Sequence, residues 1–104
     1  MPSRPIMEQP CFPASSPPKF CLGPIVATSN ALSAITHEDI LRALDRHIRG
    51  DWGELDDFDR NQNEEALIHG RRLLSVYYAQ NDTRFYVITE ADRSATTILL
   101  PEDY

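Results

Sequence analysis

Two short stretches of the chain collect side chains that could bind a ligand or take part in proton transfer. The first is RHIRGDWG at 46–53, which combines two arginines, a histidine, an aspartate and the only tryptophan. The second is TEADRS at 89–94, which is rich in groups able to form ion pairs. If the fold brings both stretches together, they form one polar patch. Its candidate residues are Arg46, His47, Trp52, Glu90, Asp92 and Arg93.

This patch has a functional and a structural interpretation. In the functional one, a small enzyme or ligand-binding domain uses these side chains on its substrate or ligand. In the structural one, Trp52 anchors the turn between two helices in the core, while Asp92 and Arg93 build a hairpin. The sequence leaves both interpretations open and assigns no catalytic residue.

The remaining reactive residues do not form a known type of site. The three histidines, His37, His47 and His69, are isolated in the sequence, and we interpret them as surface or helix-terminal residues. Cys11 and Cys21 are ten residues apart and do not form the close pair of a zinc site. No glycine-rich phosphate loop, nucleophile elbow or His-Glu-x-x-His motif occurs. We expect no metal and no cofactor, and we favour a protein without enzymatic activity.

The clearest functional signal is the uneven distribution of charge. Residues 36–70 contain ten acids and four arginines, a net charge of −6 that equals the formal charge of the whole chain. An acidic surface of this kind could occupy a basic groove built for phosphates. The candidate partner-binding residues are Glu54, Asp56, Asp57, Asp59, Glu64 and Glu65.

Composition also excludes several classes of protein. A net charge of −6 argues against direct binding to nucleic acid, which requires cations that neutralise phosphates. No apolar run reaches the roughly 18–20 residues that span a bilayer, and the N-terminus lacks the pattern of a signal peptide. We therefore expect a cytoplasmic protein with free thiols and no membrane partner.

Prolines divide the chain into a tail and a domain. Six of the eight prolines fall within the first 18 residues. Because proline lacks a backbone donor and fixes φ, we expect residues 1–19 to form an extended or disordered tail. Such a tail could also serve as a proline-rich ligand for a partner groove. The remaining residues, 20–104, suffice for a single domain.

The domain is predicted to be α+β, with two helices packed on a small antiparallel sheet. The first helix spans 36–50, where Thr36 and Asp39 have the spacing of a capping box and a glycine ends the helix. The second begins at residue 56 or 57 and ends before residue 70. It is expected to be mostly exposed and acidic, because its apolar stripe is thin. That stripe runs through Phe58, Ala66 and Leu67.

The sheet is predicted to have three or four strands. Residues 73–78, 85–89 and 96–100 are β-rich runs joined by short polar connections, which is typical of an antiparallel meander. Residues 21–28 form a further strand, which Pro24 places at the sheet edge. Both faces of the meander are apolar. Either the helices wrap the sheet completely, or one face is covered by the tail, a second copy or another protein.

Five stretches of the chain carry a family resemblance: LGPIVAT (22–28), RHIRGDWGEL (46–55), NEEAL (63–67), GRRLLSVY (70–77) and VITEADRSATTILLPEDY (87–104). They cover most of residues 21–104, and the last is quite specific. They resemble a family of small bacterial proteins found on plasmids and other mobile elements, some of which carry the name of a type I restriction–modification subunit. The resemblance implies this genomic setting and brings no catalytic residues.

The leading hypothesis is a small, non-enzymatic protein-interaction module of a bacterial mobile element. Its partner would be a protein, such as a restriction or CRISPR effector of a host defence complex, inhibited through its nucleic-acid-binding surface. Two alternatives remain. One is the ligand-binding or enzymatic domain described above. The other is a homodimeric accessory protein joined through the second face of the sheet.

Overall fold

One short strand and a C-terminal meander form a single sheet, with the helices between them in the chain. The computed structural model describes residues 17–104, so the predicted tail lies outside the described residues except for residues 17–19, which form no helix or strand. The elements are β1 (Ile25–Ala27), α1 (Ser29–Ala34), α2 (His37–Ile48), α3 (Asp57–His69), β2 (Leu73–Tyr78), β3 (Arg84–Thr89), β4 (Thr96–Leu99) and a final 3₁₀ helix (Pro101–Asp103).

The four strands lie in the order β1–β4–β3–β2. The predicted α+β class is confirmed, and β2, β3 and β4 form the expected antiparallel meander. Two details differ from expectation. β1 lies at the sheet edge but runs parallel to β4; the connection between them, which contains the three helices and the strands β2 and β3, is long enough to permit this pairing. A third helix, α1, follows β1 where only two helices were expected in the domain, with the Thr28 side chain accepting from the Ala31 N–H at 3.1 Å.

The predicted boundaries of α2 are confirmed. Thr36 and Asp39 form the capping box, and Gly50 follows the helix with a φ of 83°. Asp39 is buried and also accepts a hydrogen bond from the Gln80 N–H at 3.2 Å. Burial alone would raise the pKa of Asp39, but the hydrogen bonds from Thr36 and Gln80 and the charge of Arg42 hold it below its usual value.

Helix α3 is mostly exposed, as predicted, and Asn63 and Ala66 are its buried residues. The predicted apolar stripe was wrong at Phe58, whose side chain is 68% exposed. Phe58 and Leu67 are nine residues apart, which at about 100° per residue places them on opposite sides of a helix. Leu67 packs against the core cluster of Trp52, Ala66 and Leu73, so Phe58 must point to solvent.

All three helices lie on one face of the sheet. The larger core cluster joins Ala31, Ile40 and Ala43 of α1 and α2 to alternate strand residues such as Val87 and Ile98. The opposite face presents Val26, Leu74, Val76, Tyr78, Arg84, Tyr86, Ile88, Thr97 and Leu99. The final 3₁₀ helix contacts β3, and the Tyr104 ring lies 5.6 Å from the Tyr86 ring on this face. Val76, Ile88 and Leu99 at its centre are buried, so both faces of the sheet carry apolar side chains, as predicted.

The outer edge of β2 is closed by groups that do not belong to a strand. Residues 52–54 run beside it, since the Val76 N–H donates to the Trp52 carbonyl at 3.2 Å and the Glu54 N–H donates to Val76 at 2.8 Å. One step along, the Asn63 side-chain amide donates to the Leu74 carbonyl at 2.6 Å and accepts from its N–H at 3.2 Å. The amide thus imitates a neighbouring peptide group.

The close approach of residues 52–54 to β2 requires glycine at position 53. Gly53 has a φ of 79°, and a Cβ atom there would lie 1.9 Å from the Val76 carbonyl oxygen. No side chain fits at that distance. Arg60 holds the same segment from α3, because its guanidinium donates to the carbonyls of Gly53 and Leu55 at 3.0 and 2.9 Å.

Replacing Asn63 with alanine should destabilise the domain by about 2 kcal/mol, because the N–H and C=O of Leu74 lose their partner in a partly buried position. Asn61→Ala is the matched control: Asn61 lies on the exposed side of the same helix, so its loss should change the unfolding free energy by less than about 0.5 kcal/mol. Urea unfolding of both variants measures the difference. Equal losses would contradict the edge-closing role of Asn63.

Candidate functional site

An ion pair between Arg46 and Asp51 stabilises the C-terminal end of α2. The Arg46 guanidinium donates two hydrogen bonds to the Asp51 carboxylate, at 2.7 and 3.1 Å, and lies 4.7 Å from the centre of the Tyr77 ring. The Tyr77 hydroxyl donates to the Asp51 carbonyl at 2.5 Å. The hydrogen bond from Arg46 lowers the pKa of Asp51 and raises that of Arg46. Arg46 is therefore paired within the domain.

His47 lies in the last turn of α2, as the helix-terminal interpretation expects, but its side chain is fully buried, so the alternative of a surface histidine was wrong. Its Nδ1 lies 2.5 Å from Ser75 Oγ, and its Nε2 lies 2.9 Å from Thr89 Oγ1. The chain of contacts continues to Thr96 Oγ1 at 2.7 Å and ends at the Leu22 carbonyl at 2.7 Å. These contacts connect α2 to all three strands of the meander and to the segment before β1. We call them the His47 chain.

The last acceptor of the His47 chain fixes the direction of its hydrogen bonds as far as Nε2 of His47. A carbonyl only accepts, so Thr96 donates to Leu22 and therefore accepts from the Thr89 hydroxyl. Thr89 then accepts from an N–H at Nε2 of His47. Burial, together with the charge of Arg93, lowers the pKa of His47 to about 3, so the imidazole is neutral at pH 7. With its proton on Nε2, its Nδ1 atom accepts from the Ser75 hydroxyl.

Phe20 brings the two polar stretches together. Its ring lies 5.2 Å from the His47 ring in an edge-on arrangement and 6.3 Å from Trp52 in a stacked one. The Arg93 guanidinium lies 5.6 Å from the centre of the same ring. Trp52 is buried and donates from Nε1 to Glu64 at 2.8 Å. The side chains of His47, Trp52 and Arg93 therefore meet around Phe20, which covers them.

Arg93 holds three parts of the chain through backbone carbonyls. It occupies the left-handed region with a φ of 62°, in the turn between β3 and β4. Its guanidinium donates to Arg71 at 2.7 Å, to Glu90 at 3.1 Å, to Ala91 at 3.2 Å and to Ala66 near the end of α3 at 3.3 Å. Charged donors on carbonyls are strong hydrogen bonds. The contacts with Ala66 and Arg71 tie the end of α3 to the hairpin, and those with Glu90 and Ala91 hold the turn itself.

The other members of the predicted patch lie apart from this cluster. Glu90 and Asp92 are exposed in the hairpin turn, where Asp92 accepts from the Ser94 N–H at 3.0 Å. A depression of about 20 Å³ beside Arg46 is lined by Asp39, Arg42 and Tyr78 among others. Ligand sites usually measure about 300–1,000 Å³, so this depression has room for about one water molecule. Its two arginines are already in ion pairs with Asp39 and Asp51.

Sequence reasoning missed the hydroxyl partners of His47 and the role of Phe20. One signal was available. His47 follows Ile40 and Leu44 at the spacing of the apolar stripe of α2, which places it on the buried face. Ser75 and Thr89 are small polar residues within apolar strands. Nothing in the sequence indicates that Phe20 covers the imidazole, because Phe20 comes directly after the predicted tail.

The six acidic candidates divide into two groups. Three have a structural role: Asp56 accepts from the Asp59 N–H at 2.8 Å, Glu64 accepts from Trp52, and Glu65 lies 3.3 Å from His69. The other three, Glu54, Asp57 and Asp59, are exposed, and no side-chain ion pair involves them within residues 17–104. Together with the exposed ring of Phe58 they form what we call the α3 acidic surface.

Within the described part of the chain, no three histidine, cysteine, aspartate or glutamate side chains are placed to hold a metal ion. No helix among the same residues has the length and apolar character needed to cross a bilayer. Comparison of the chain with protein-family models, with curated proteins and with solved structures finds no match.

The buried neutral His47 predicts that the domain loses stability on mild acidification. The unfolded chain binds a proton below about pH 6.5 and the folded chain only near pH 3, so stability rises with pH between these values. The expected loss between about pH 7 and about pH 4.5 is roughly 2.5 kcal/mol. Asp39 and Asp51 have lowered pKa values, so their contribution to stability changes only below about pH 4. Between about pH 7 and about pH 4.5, the change in stability therefore comes from His47.

The test is urea unfolding across this pH range. His47→Gln keeps a donor and an acceptor but cannot titrate, so this variant should be less stable at neutral pH and show little pH dependence. His37→Gln, at an exposed histidine, should retain the wild-type slope. A His47→Gln variant with the wild-type slope would show that another group causes the acid sensitivity.

Proposed function

We propose that this chain is a small, non-enzymatic protein-interaction module of a bacterial mobile element, and that it binds its partner through the α3 acidic surface. The observation that carries the proposal is Phe58. Its ring is 68% exposed between Asp57 and Asp59, and it belongs to neither core cluster. Burial of this ring in a partner would contribute affinity that the free domain does not use.

The charges around Phe58 favour a basic partner. Glu54, Asp57 and Asp59 have no ion pair in the described domain, so their field is available to a second molecule. Carboxylates around an aromatic anchor complement a surface rich in lysine and arginine, and they accelerate association with it. A groove built for phosphates is such a surface. The partner class that fits best is therefore a nucleic-acid-binding effector, such as a restriction or CRISPR complex.

The enzymatic alternative receives less support from the same geometry. Its best candidates, His47, Trp52 and Arg93, lie under Phe20 and are engaged in hydrogen bonds within the domain. A general base must reach the proton that it abstracts, and a fully buried imidazole does not reach substrate. The cluster around Phe20 therefore has a structural role in this proposal.

Affinity capture with the full-length protein as bait tests the proposal. Phe58→Ala should weaken retention of the partner by at least about tenfold, which corresponds to about 1.4 kcal/mol. Leu41→Ala is the matched control, because Leu41 is 62% exposed on α2, away from α3, and its loss should leave binding unchanged. Circular dichroism and urea unfolding should show that both variants fold like the wild type.

A charge variant separates electrostatic from apolar contributions. The triple variant Glu54→Gln, Asp57→Asn, Asp59→Asn should slow association and reduce its dependence on salt, since long-range attraction is screened by ions. Added single-stranded or duplex nucleic acid should compete with the wild type for the captured effector. A partner bound equally by the wild type, the Phe58 variant and the triple variant would refute this binding surface.

A further inference from the structure

The two edges of the sheet differ in how they end. The outer edge of β2 is closed by residues 52–54 and by the Asn63 amide. The other edge is β1, whose residues Ile25 and Val26 are 44% and 50% exposed. No further strand or bridge within residues 17–104 continues the sheet beyond β1.

The backbone of β1 directs hydrogen-bonding groups away from the sheet. The Pro24 carbonyl accepts from β4 at 2.9 Å, and the Thr28 N–H donates to β4 at 3.0 Å. Because alternate residues of a strand face the same neighbour, Val26 faces β4 as well. Ile25 and Ala27 therefore point their N–H and C=O groups outward, where no hydrogen bond from residues 17–104 reaches them.

This edge lacks the features with which proteins usually prevent strand pairing between chains, such as charged side chains and prolines on the edge strand. Residues 20–36 contain no charged side chain, although 25% of the residues in the whole chain are charged. Pro24 precedes β1, but its nitrogen lies on the β4 side and leaves the outer edge intact. Another strand can therefore add to β1.

We propose that β1 pairs with β1 of a second copy, antiparallel about a two-fold axis at Val26. In this register Ile25 of each copy lies opposite Ala27 of the other, and the outward N–H and C=O groups of both residues gain partners. The two Val26 side chains face each other at the axis, where Cβ atoms are about 4.5–5.5 Å apart. The sheets of the two copies become one continuous sheet.

The distribution of charge favours self-association at this edge. Each copy has a net charge of −6, and residues 20–36 contribute none of it. A carboxylate beside β1, that of Asp103, accepts from the side chains of Thr28 and Asn30 at 2.7 Å each. In the proposed register the two Thr28 residues are about 13 Å apart along the strands, beyond the screening length of about 8 Å at physiological salt. Repulsion between the copies is therefore weak at this interface.

The dimer leaves the α3 acidic surface accessible and does not depend on the function proposed for it. Helix α3 is attached to β2 through Asn63 and Leu74, at the opposite edge of the sheet. A dimer through β1 therefore carries one α3 acidic surface beyond each end of the joined sheet. At about 4.8 Å for each strand spacing, the two β2 strands are about 34 Å apart.

Sedimentation velocity of the full-length protein over a range of concentrations tests the proposal. The wild type should change from monomer to dimer as the concentration increases. Val26→Lys should remain monomeric, because it places two like charges opposite each other at the axis. Leu41→Lys is the matched control: it makes the same change of charge at a residue that is 62% exposed on α2, and it should dimerise like the wild type.

A second variant removes a hydrogen-bond donor without adding a charge. Ile25→Pro lacks the outward N–H and keeps the hydrogen bonds to β4, so it should weaken dimerisation by at least about tenfold. Circular dichroism should show that the variants fold like the wild type. A dimer that persists in both Val26→Lys and Ile25→Pro would overturn the proposal, because its interface would lie elsewhere.

NMR of the wild type tests the register directly. In a mixture of isotope-labelled and unlabelled chains, the Val26 Hα protons of the two copies should show a nuclear Overhauser effect, since facing Cα atoms in such a pair are about 4.5 Å apart. The Ile25 and Ala27 amides should exchange more slowly with solvent as the concentration increases. A protein that stays monomeric at every concentration would overturn the proposal. Slow exchange that does not depend on concentration would also overturn it and assign the edge to a segment of the same chain.

Discussion

A single buried imidazole joins most of the fold. Through the His47 chain, α2 is linked to β2, β3 and β4, and the far end of the chain reaches the segment before β1. The direction of these hydrogen bonds requires a proton on Nε2, and burial of the ring keeps the imidazole neutral. Because a buried polar group without a partner costs about 1–3 kcal/mol, this one protonation state constrains how the layers pack.

The same constraint decides which residues are available for function. Trp52 and Arg93 pack around the ring that covers His47, and Asn63 and residues 52–54 close the edge of β2. The polar stretches that look most reactive in the sequence therefore hold the domain together. The groups that remain at the surface are the carboxylates and the exposed Phe58 ring of the α3 acidic surface. On the opposite side of the domain, the sheet face presents tyrosines.

Local signals predicted the elements well, and contacts between distant residues were harder to predict. The capping box at Thr36 and the glycine after α2 depend on nearby residues only, so the sequence specifies them. The parallel pairing of β1 depends on where a long connection returns, and no local pattern encodes it. Burial of His47 follows from the helical period once its stripe is recognised, whereas the cover supplied by Phe20 depends on tertiary packing alone.

The state of the His47 imidazole tests this account most directly. Nitrogen-15 NMR of the ring distinguishes the two tautomers and the charged form. We expect one protonated nitrogen, Nε2, and an acceptor at Nδ1. The spectrum should not change from about pH 7 to about pH 4.5, because the folded domain binds a proton only near pH 3. A proton on Nδ1, or protonation of both nitrogens with a midpoint near pH 6.5, would contradict it.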